Sequence, residues 1–439
     1  MSLGIIMTGS VPHALGSASQ GLRRIAEWVS ERCGDMLETP VGTWEADGRR
    51  GMTIDLHPCA EGVIVELGAE GEILVEAKTS SAGPGYHQYV CELIDALGVR
   101  FDIQWAAPVE GESEDETGYY THRRRELLEL EMVTWLQAVT KSLAEHEEIG
   151  ESIALSMSLD HQFDAQGMIV TPMGPRTKEW ADATARGALG VGGLEGPGGF
   201  FAWWDEGETA RTRLNRALAR MWAQVRWAPA RTEGESRVIE RTLRDLNAAW
   251  RAEPELDFPW REWVELSELA GEEPAPGNAA HVRAAEAEGP LIGYRRHPVR
   301  VLLPGGWRIR IPGDFSEMYE EEGGFLAWGE ERNVRVSSFS VVHRNAEGRG
   351  CHHPTPLEMV TDEADPEMPP PVEVLEAWER DGVAGAAKVY RDTDDGMDYW
   401  ILMGKVASPD RLALCTVCYV RDEDRAWAVD TLRSIRRGE

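Results

Sequence analysis

Residues 79–98, TSSAGPGYHQYVCELIDALG, decide how this chain is read. A β-rich run with Ile73, Val75 and Ala77 at alternate positions enters a Ser/Gly/Pro loop, and the loop opens a short amphipathic helix over 85–97. An α/β protein holds an anion or does chemistry at such a junction, because unpaired N–H groups and the positive end of a helix dipole converge there. Gly83 and Gly85 are the anion candidates, and His87 is the residue of the loop able to act as a base, with Tyr86 or Ser81 assisting. No Lys or Arg follows Lys78 in the loop, so it is not a phosphate loop of the G-x-x-x-x-G-K-[ST] type. The structural alternative is that Gly83-Pro84-Gly85 shapes a turn and His87 packs against the sheet.

Upstream, Leu22, Ile25, Trp28 and Val29 share one helical face over 17–34, with Gly34 as a stop. GMTIDLHPC, GVIVEL and EILVEAKT alternate with period two, and the last two form a hairpin about GAEG. Downstream, Phe101, Ile103 and Trp105 alternate as a strand, and 108–118 is an acidic loop. A long helix follows over 119–146, then two short strands in IALSMSLDHQF and GMIVTPM. The glycine run 187–199 misses the dinucleotide fingerprint, since Glu195 stands where a glycine is required and FFAWW, not a helix start, follows. Three helices of a Trp-rich block follow, over 214–225, 236–251 and 260–270, with Trp222, Trp250, Trp260 and Trp263. These rings are expected to pack between helices, with a ligand-binding aromatic cluster as the alternative.

With 439 residues the chain exceeds one ordinary core of about 150 residues. The expected division is an α/β domain with a Trp-rich helical extension over 1–270, itself open to subdivision near 187–199, a Pro/Gly/Ala/Glu linker over 271–290, and a β-rich module over 291–439. The fold class is α+β. In the last module a helix over 372–381 precedes three strands, AGAAKVYR, DYWILMGKV and LALCTVCYV, and an amphipathic helix over 423–435 closes the chain.

Lys and Arg number 45 against 76 Asp and Glu, a net charge of −31 spread along the whole sequence. That sign repels phosphate backbones and anionic lipid, so direct nucleic-acid or membrane-surface binding is excluded as an expectation, and a partner protein with a basic face is favoured. Six cysteines without framework spacing, no signal-peptide pattern and no long apolar run place the chain in the cytoplasm as a protein of reduced thiols. No metal and no cofactor is expected. His343, Cys351, His352 and His353 are the densest metal-capable cluster but lack a second ligand pair, because Cys415 and Cys418 fall on opposite faces of a strand. Asp392, Asp394, Asp395 and Asp398 depart from calcium-loop spacing and read as a hairpin turn.

From Leu303, Pro304, Gly306 and Trp307, through Gly404, to Trp427, Leu432 and Ile435, the C-terminal module resembles the superfamily of the photosystem II P-subunit and the Ran guanine-nucleotide release factor. The resemblance implies an antiparallel sheet flanked by helices, used to bind proteins and not to catalyse. Together with the charge it gives the functional expectation: a non-catalytic interaction protein docking a basic partner, such as an immunity or defence-accessory protein. The alternative is an enzyme or small-ligand sensor using loop 79–87 with His87 as base.

Overall fold

In the computed structural model, which describes residues 2–12, 17–46, 48–107, 109, 114–144, 153–157, 160–165, 167–187, 197–320, 323–341, 354–361, 369–394 and 396–438, the chain is α+β and divides into two units. The first comprises 1–157, 165–225 and 233–293. Its strands are β1 (Gly4–Ser10), β2 (Gly42–Ala46), β3 (Arg49–Ile54), β4 (Val63–Leu67), β5 (Glu72–Lys78), β6 (Gln104–Trp105) and β7 (Glu114–Asp115). They form one antiparallel sheet in the order β2-β3-β4-β5-β1-β6, with β7 also on β1. The sequence reading missed β1, yet it pairs with β5 over its full length, from Gly4 opposite Lys78 to Ser10 opposite Glu72.

Helices α1 (Ala18–Cys33) and α2 (Pro84–Phe101) pack on this sheet. On α1 the apolar spacing does what it promises: Leu22, Ile25, Val29 and Cys33 are buried, and Ser17 with Gln20 forms a capping box at its start. The helix expected over 119–146 is instead two helices, α3 (Tyr119–His122) and α4 (Arg125–Ala144). Arg123 breaks them at φ 51°, its guanidinium lying 4.7 Å over the Tyr120 ring and 2.7 Å from Asp95 Oδ2. Helices α5 (Lys178–Ala185), α6 (Pro197–Phe200), α7 (Ala210–Ala223), α8 (Glu233–Ala252), α9 (Trp260–Ala270) and α10 (Asn278–Glu286) complete the unit. The strand expected in IALSMSLDHQF is kept at its end, where His161–Phe163 is a strand of the second unit, while Ala154 makes an isolated bridge with Val170; the strand expected in GMIVTPM reduces to that bridge and the one between Ile169 and Arg176. The stretch 271–290 holds α10, whose Ala280 is buried, and belongs to this unit.

The second unit comprises 158–164, 226–232 and 294–439. Its strands are β8 (His161–Phe163), β9 (Val299–Leu303), β10 (Trp307–Ile311), β11 (Ser316–Tyr319), β12 (Gly324–Trp328), β13 (Arg332–Ser340), β14 (Glu373–Arg380), β15 (Val383–Asp394), β16 (Met397–Ser408), β17 (Arg411–Tyr419) and β18 (Arg436–Arg437). One sheet runs β18-β10-β9-β8 and the other β11-β12-β13-β17-β16-β15-β14, with α11 (Pro356–Val360) and α12 (Arg425–Arg433) as the helices. The helix expected over 372–381 is the edge strand β14, interrupted by a register shift between Leu375 and Trp378. Gly404 admits α12: a Cβ there would collide with the Leu432 side chain. The acidic run at 392–398 closes the β15–β16 hairpin with Gly396 at φ 80°, and Asp398 accepts from the Thr393 hydroxyl at 2.7 Å. His343, Cys351, His352, His353 and Asp395 lie outside the described residues. No helix among the described residues is long and apolar enough to cross a membrane.

Candidate functional site

Loop 79–85 is tied down at both ends. The amides of Thr79 and Ser80 both donate to Leu3 O at 2.9 and 3.2 Å, and those of Ala82 and Gly83 to Thr79 O at 3.2 and 3.0 Å. Gly83 sits at φ 116°, a conformation L side chains avoid, and Pro84 begins α2. The amide that would face an anion is already used: Gly85 N–H donates to Trp203 O at 3.0 Å, while Trp203 N–H donates to Ala82 O at 2.9 Å. The FFAWW segment therefore lies directly on the two glycines, and a Cβ at position 83 would stand 2.8 Å from both Phe201 Cβ and Trp203 O. Arg125 clamps the segment from the other side, donating to Trp204 O and to Gln88 Oε1.

His87 is fully buried. Its Nδ1 lies 2.8 Å from Thr79 Oγ1, and its Nε2 lies 3.1 Å from Thr117 Oγ1 and 3.2 Å from Asp115 Oδ1. Hydroxyl, imidazole and carboxylate thus stand in one line, the order of groups that activates a nucleophile when the hydroxyl is open to substrate. Thr79 is 0% exposed, so here the line is a closed polar link between α2, the end of β5 and β7. Burial pushes the Asp115 carboxyl up, but the hydrogen bond and charge of His87, the Tyr120 amide and Thr117 outweigh it and bring it down to about 2. Neither Ser81 nor Tyr86 bonds to His87 among the described residues. Ser81 is half-buried, and Tyr86 is buried between the His57 and Trp203 rings, its hydroxyl without a described hydrogen-bond partner and its acidity suppressed by burial.

Thr79, Asp115 and Thr117 escaped the sequence reading because 108–118 looks like a solvated acidic loop. The signal that finds them is Asp115-x-Thr117 directly before a helix: the Asp115 carboxylate accepts from the amides of Thr117 (2.8 Å) and Tyr120 (2.6 Å) as an N-terminal cap does.

No family model matches this chain. No curated protein matches it either. Among solved structures, one from Bacteroides thetaiotaomicron VPI-5482 is similar over 32% of this chain at 14% identity and a TM-score of 0.23. The chain spans about half (48%) of that structure's length. A likeness of that size carries no argument about function.

Two other charged centres belong to the first unit. On α7 and α8, Asp245 accepts from Arg216 Nη2 (2.6 Å) and Arg220 Nη1 (2.7 Å), while Glu38 takes Arg220 Nη2 at 2.6 Å. All four side chains are nearly solvent-free, so the charges are matched internally. His57 lies beside them and is held neutral, its pKa driven well down by burial and then by Arg216 and Arg220.

The second centre is open. A cleft of about 460 Å³ is lined by Phe258, Trp260, Arg283, Asp257, Glu286 and Glu288, among others. Trp260 stacks on Trp263, ring centroids 5.4 Å apart, and Phe258 packs on both rings. The Arg283 guanidinium lies 4.6 Å over the Trp260 ring, and Asp257, Glu286 and Glu288 are exposed around it.

Proposed function

We propose that the chain is a non-enzymatic docking protein for a partner with a basic segment, and that the Trp260 cleft receives a cationic side chain of that partner. The observation that carries this reading is Arg283 on Trp260: the chain's own guanidinium occupies an aromatic face rimmed by carboxylates, the chemistry that would hold a partner's Arg or Lys. The net charge of −31 supports it by steering basic partners inward. Neutralisation of a basic protein by an immunity or defence-accessory factor is a role of this kind. The resemblance of the C-terminal module to a protein-binding superfamily also supports it, although β14 stands where that order of elements has a helix. Burial of His87 weighs against the reading in which it serves as a base.

The test is calorimetric titration with tetra-arginine and tetra-glutamate, monitored in parallel by tryptophan fluorescence. Saturable binding of the arginine peptide is expected, weakened by Glu286→Gln and Asp257→Asn and strengthened by Arg283→Ala, which vacates the ring. No saturable binding, or isotherms that none of these substitutions moves, sinks the proposal.

A further inference from the structure

His87 and Cys91 are one helical turn apart on α2, so their side chains leave the same face. Opposite them stands Asp115 of β7. Their donor atoms, an imidazole nitrogen, Sγ and a carboxylate oxygen, all lie within 4.8 Å of one another. The 3.2 Å between His87 Nε2 and Asp115 Oδ1 is close to the edge, roughly 3.3 Å, of a tetrahedron of nitrogen and oxygen ligands about 2.0 Å from a zinc ion. A fourth donor, the oxygen Thr117 Oγ1, lies 3.1 Å from Nε2 and 2.8 Å from Oδ1.

We propose that His87, Cys91 and Asp115 form a structural zinc site joining α2 to β7. The donor set is of the mixed N/S/O kind that suits zinc. Charge gives the second argument. Once the thiol and the imidazole Nε2 are deprotonated, thiolate and carboxylate sum to −2, so a divalent cation leaves the enclosed site neutral. The surroundings are those that orient ligands. Thr79 Oγ1, 2.8 Å behind Nδ1, accepts the imidazole N–H and can pass its own proton towards Leu3 O at 3.5 Å, leaving the Nε2 lone pair to the metal. The Asp115 carboxylate is held by the Tyr120 and Thr117 amides. On binding, Cys91 gives up its thiol proton and His87 its Nε2 proton, both to solvent, while the Nδ1 proton stays hydrogen-bonded to Thr79 Oγ1; nothing is oxidised or reduced.

The experiment is cobalt(II) titration of the full chain after chelator dialysis, followed by zinc displacement. One cobalt per chain should give a thiolate-to-metal charge-transfer band that zinc abolishes. The band should be absent in Cys91→Ala and Asp115→Asn and retained in Cys351→Ser, which separates this site from the His343 and Cys351 cluster. Thr79→Val should weaken binding about 10- to 100-fold, the cost of losing a group that orients a ligand. Should the Cys91 variant fail to fold, mass-spectrometric mapping of alkylation in the unsubstituted protein decides: zinc must slow modification of Cys91. No band, a band that survives Cys91→Ala, or Cys91 alkylation indifferent to zinc overturns the proposal.

Discussion

The amide of Gly85 donates to the backbone carbonyl of Trp203, 118 positions later in the chain, at 3.0 Å. The indole of Trp203 donates in turn to Gly207 O at 2.9 Å, so the residue that covers the loop is itself fixed. A Cβ at position 85 would overlap Asp205 O and the Trp203 ring.

Gly85→Ala should therefore destabilise the protein by about 3 kcal/mol, the upper part of the range for overpacking, because one obstacle is a backbone carbonyl and the other an indole pinned by its bond to Gly207 O, and neither swings away easily. Urea denaturation followed by tryptophan fluorescence measures it. A loss under about 0.5 kcal/mol, the usual scale of a neutral surface change, would show that the FFAWW segment is not seated on the glycines.

Asp245 neutralises two buried arginines at once, so Asp245→Asn leaves both short of a counter-charge. A loss of about 3–5 kcal/mol is expected, as for breaking other buried ion pairs by removal of one partner. The same denaturation assay on Glu27→Gln, at an exposed helical pair with Arg23, should show little change. Equal effects at the two sites would contradict the buried network.

Glu317 of β11 gives the second unit an acid-sensitive joint. Burial alone would raise its carboxyl, but the hydrogen bond from His161 (2.8 Å) and the charges of Arg295 (2.8 Å) and Arg226 (2.9 Å) win and hold it far below the ordinary range. The sign follows: the unfolded carboxyl takes a proton near pH 4.3 while the folded one does not, so stability is full above that value and is lost as pH falls through the folded pKa. Glu317→Gln should flatten the acid limb of a plot of stability against pH. An acid limb of unchanged slope would refute the assignment.

Of the five described cysteines, Cys33, Cys59, Cys91 and Cys415 are buried and Cys418 is partly open. Brief alkylation of the native protein, mapped by peptide mass spectrometry, should label Cys418 ahead of those four. Faster labelling of Cys415, its neighbour on the opposite face of β17, would reverse the assigned strand facing.

Much of this was legible in the chain where one periodicity ruled. The α1 stripe of Leu22, Ile25 and Val29 and the alternation of β4 and β5 each permit one burial pattern. At β14 two periods compete. The irregularity between Leu375 and Trp378 sets these residues three apart, a helical spacing produced by a bulge, and the outward Val374, 65% exposed, blurs the alternation. The helix break at Arg123 carries neither Gly nor Pro and so had no local marker. The candidate site was half visible. His87 stood out as a titratable group in a glycine loop, but its partners depend on tertiary pairing: Asp115 reaches it only because β7 pairs with β1, and Trp203 reaches the loop from 118 residues away.

The Arg220–Glu38 pair joins positions 182 apart, and Asp245 lies later still. Glu38 and Glu208 can meet Arg220 and Arg216 earlier, but the two guanidiniums lack their shared counter-charge until that aspartate has left the ribosome. The first unit is thereby timed: its sheet can form early in synthesis, but α7 cannot settle beside Glu38 before α8 exists. A fragment cut within 166–232 would carry an incomplete interior, so the unit is expected to be produced whole or not at all.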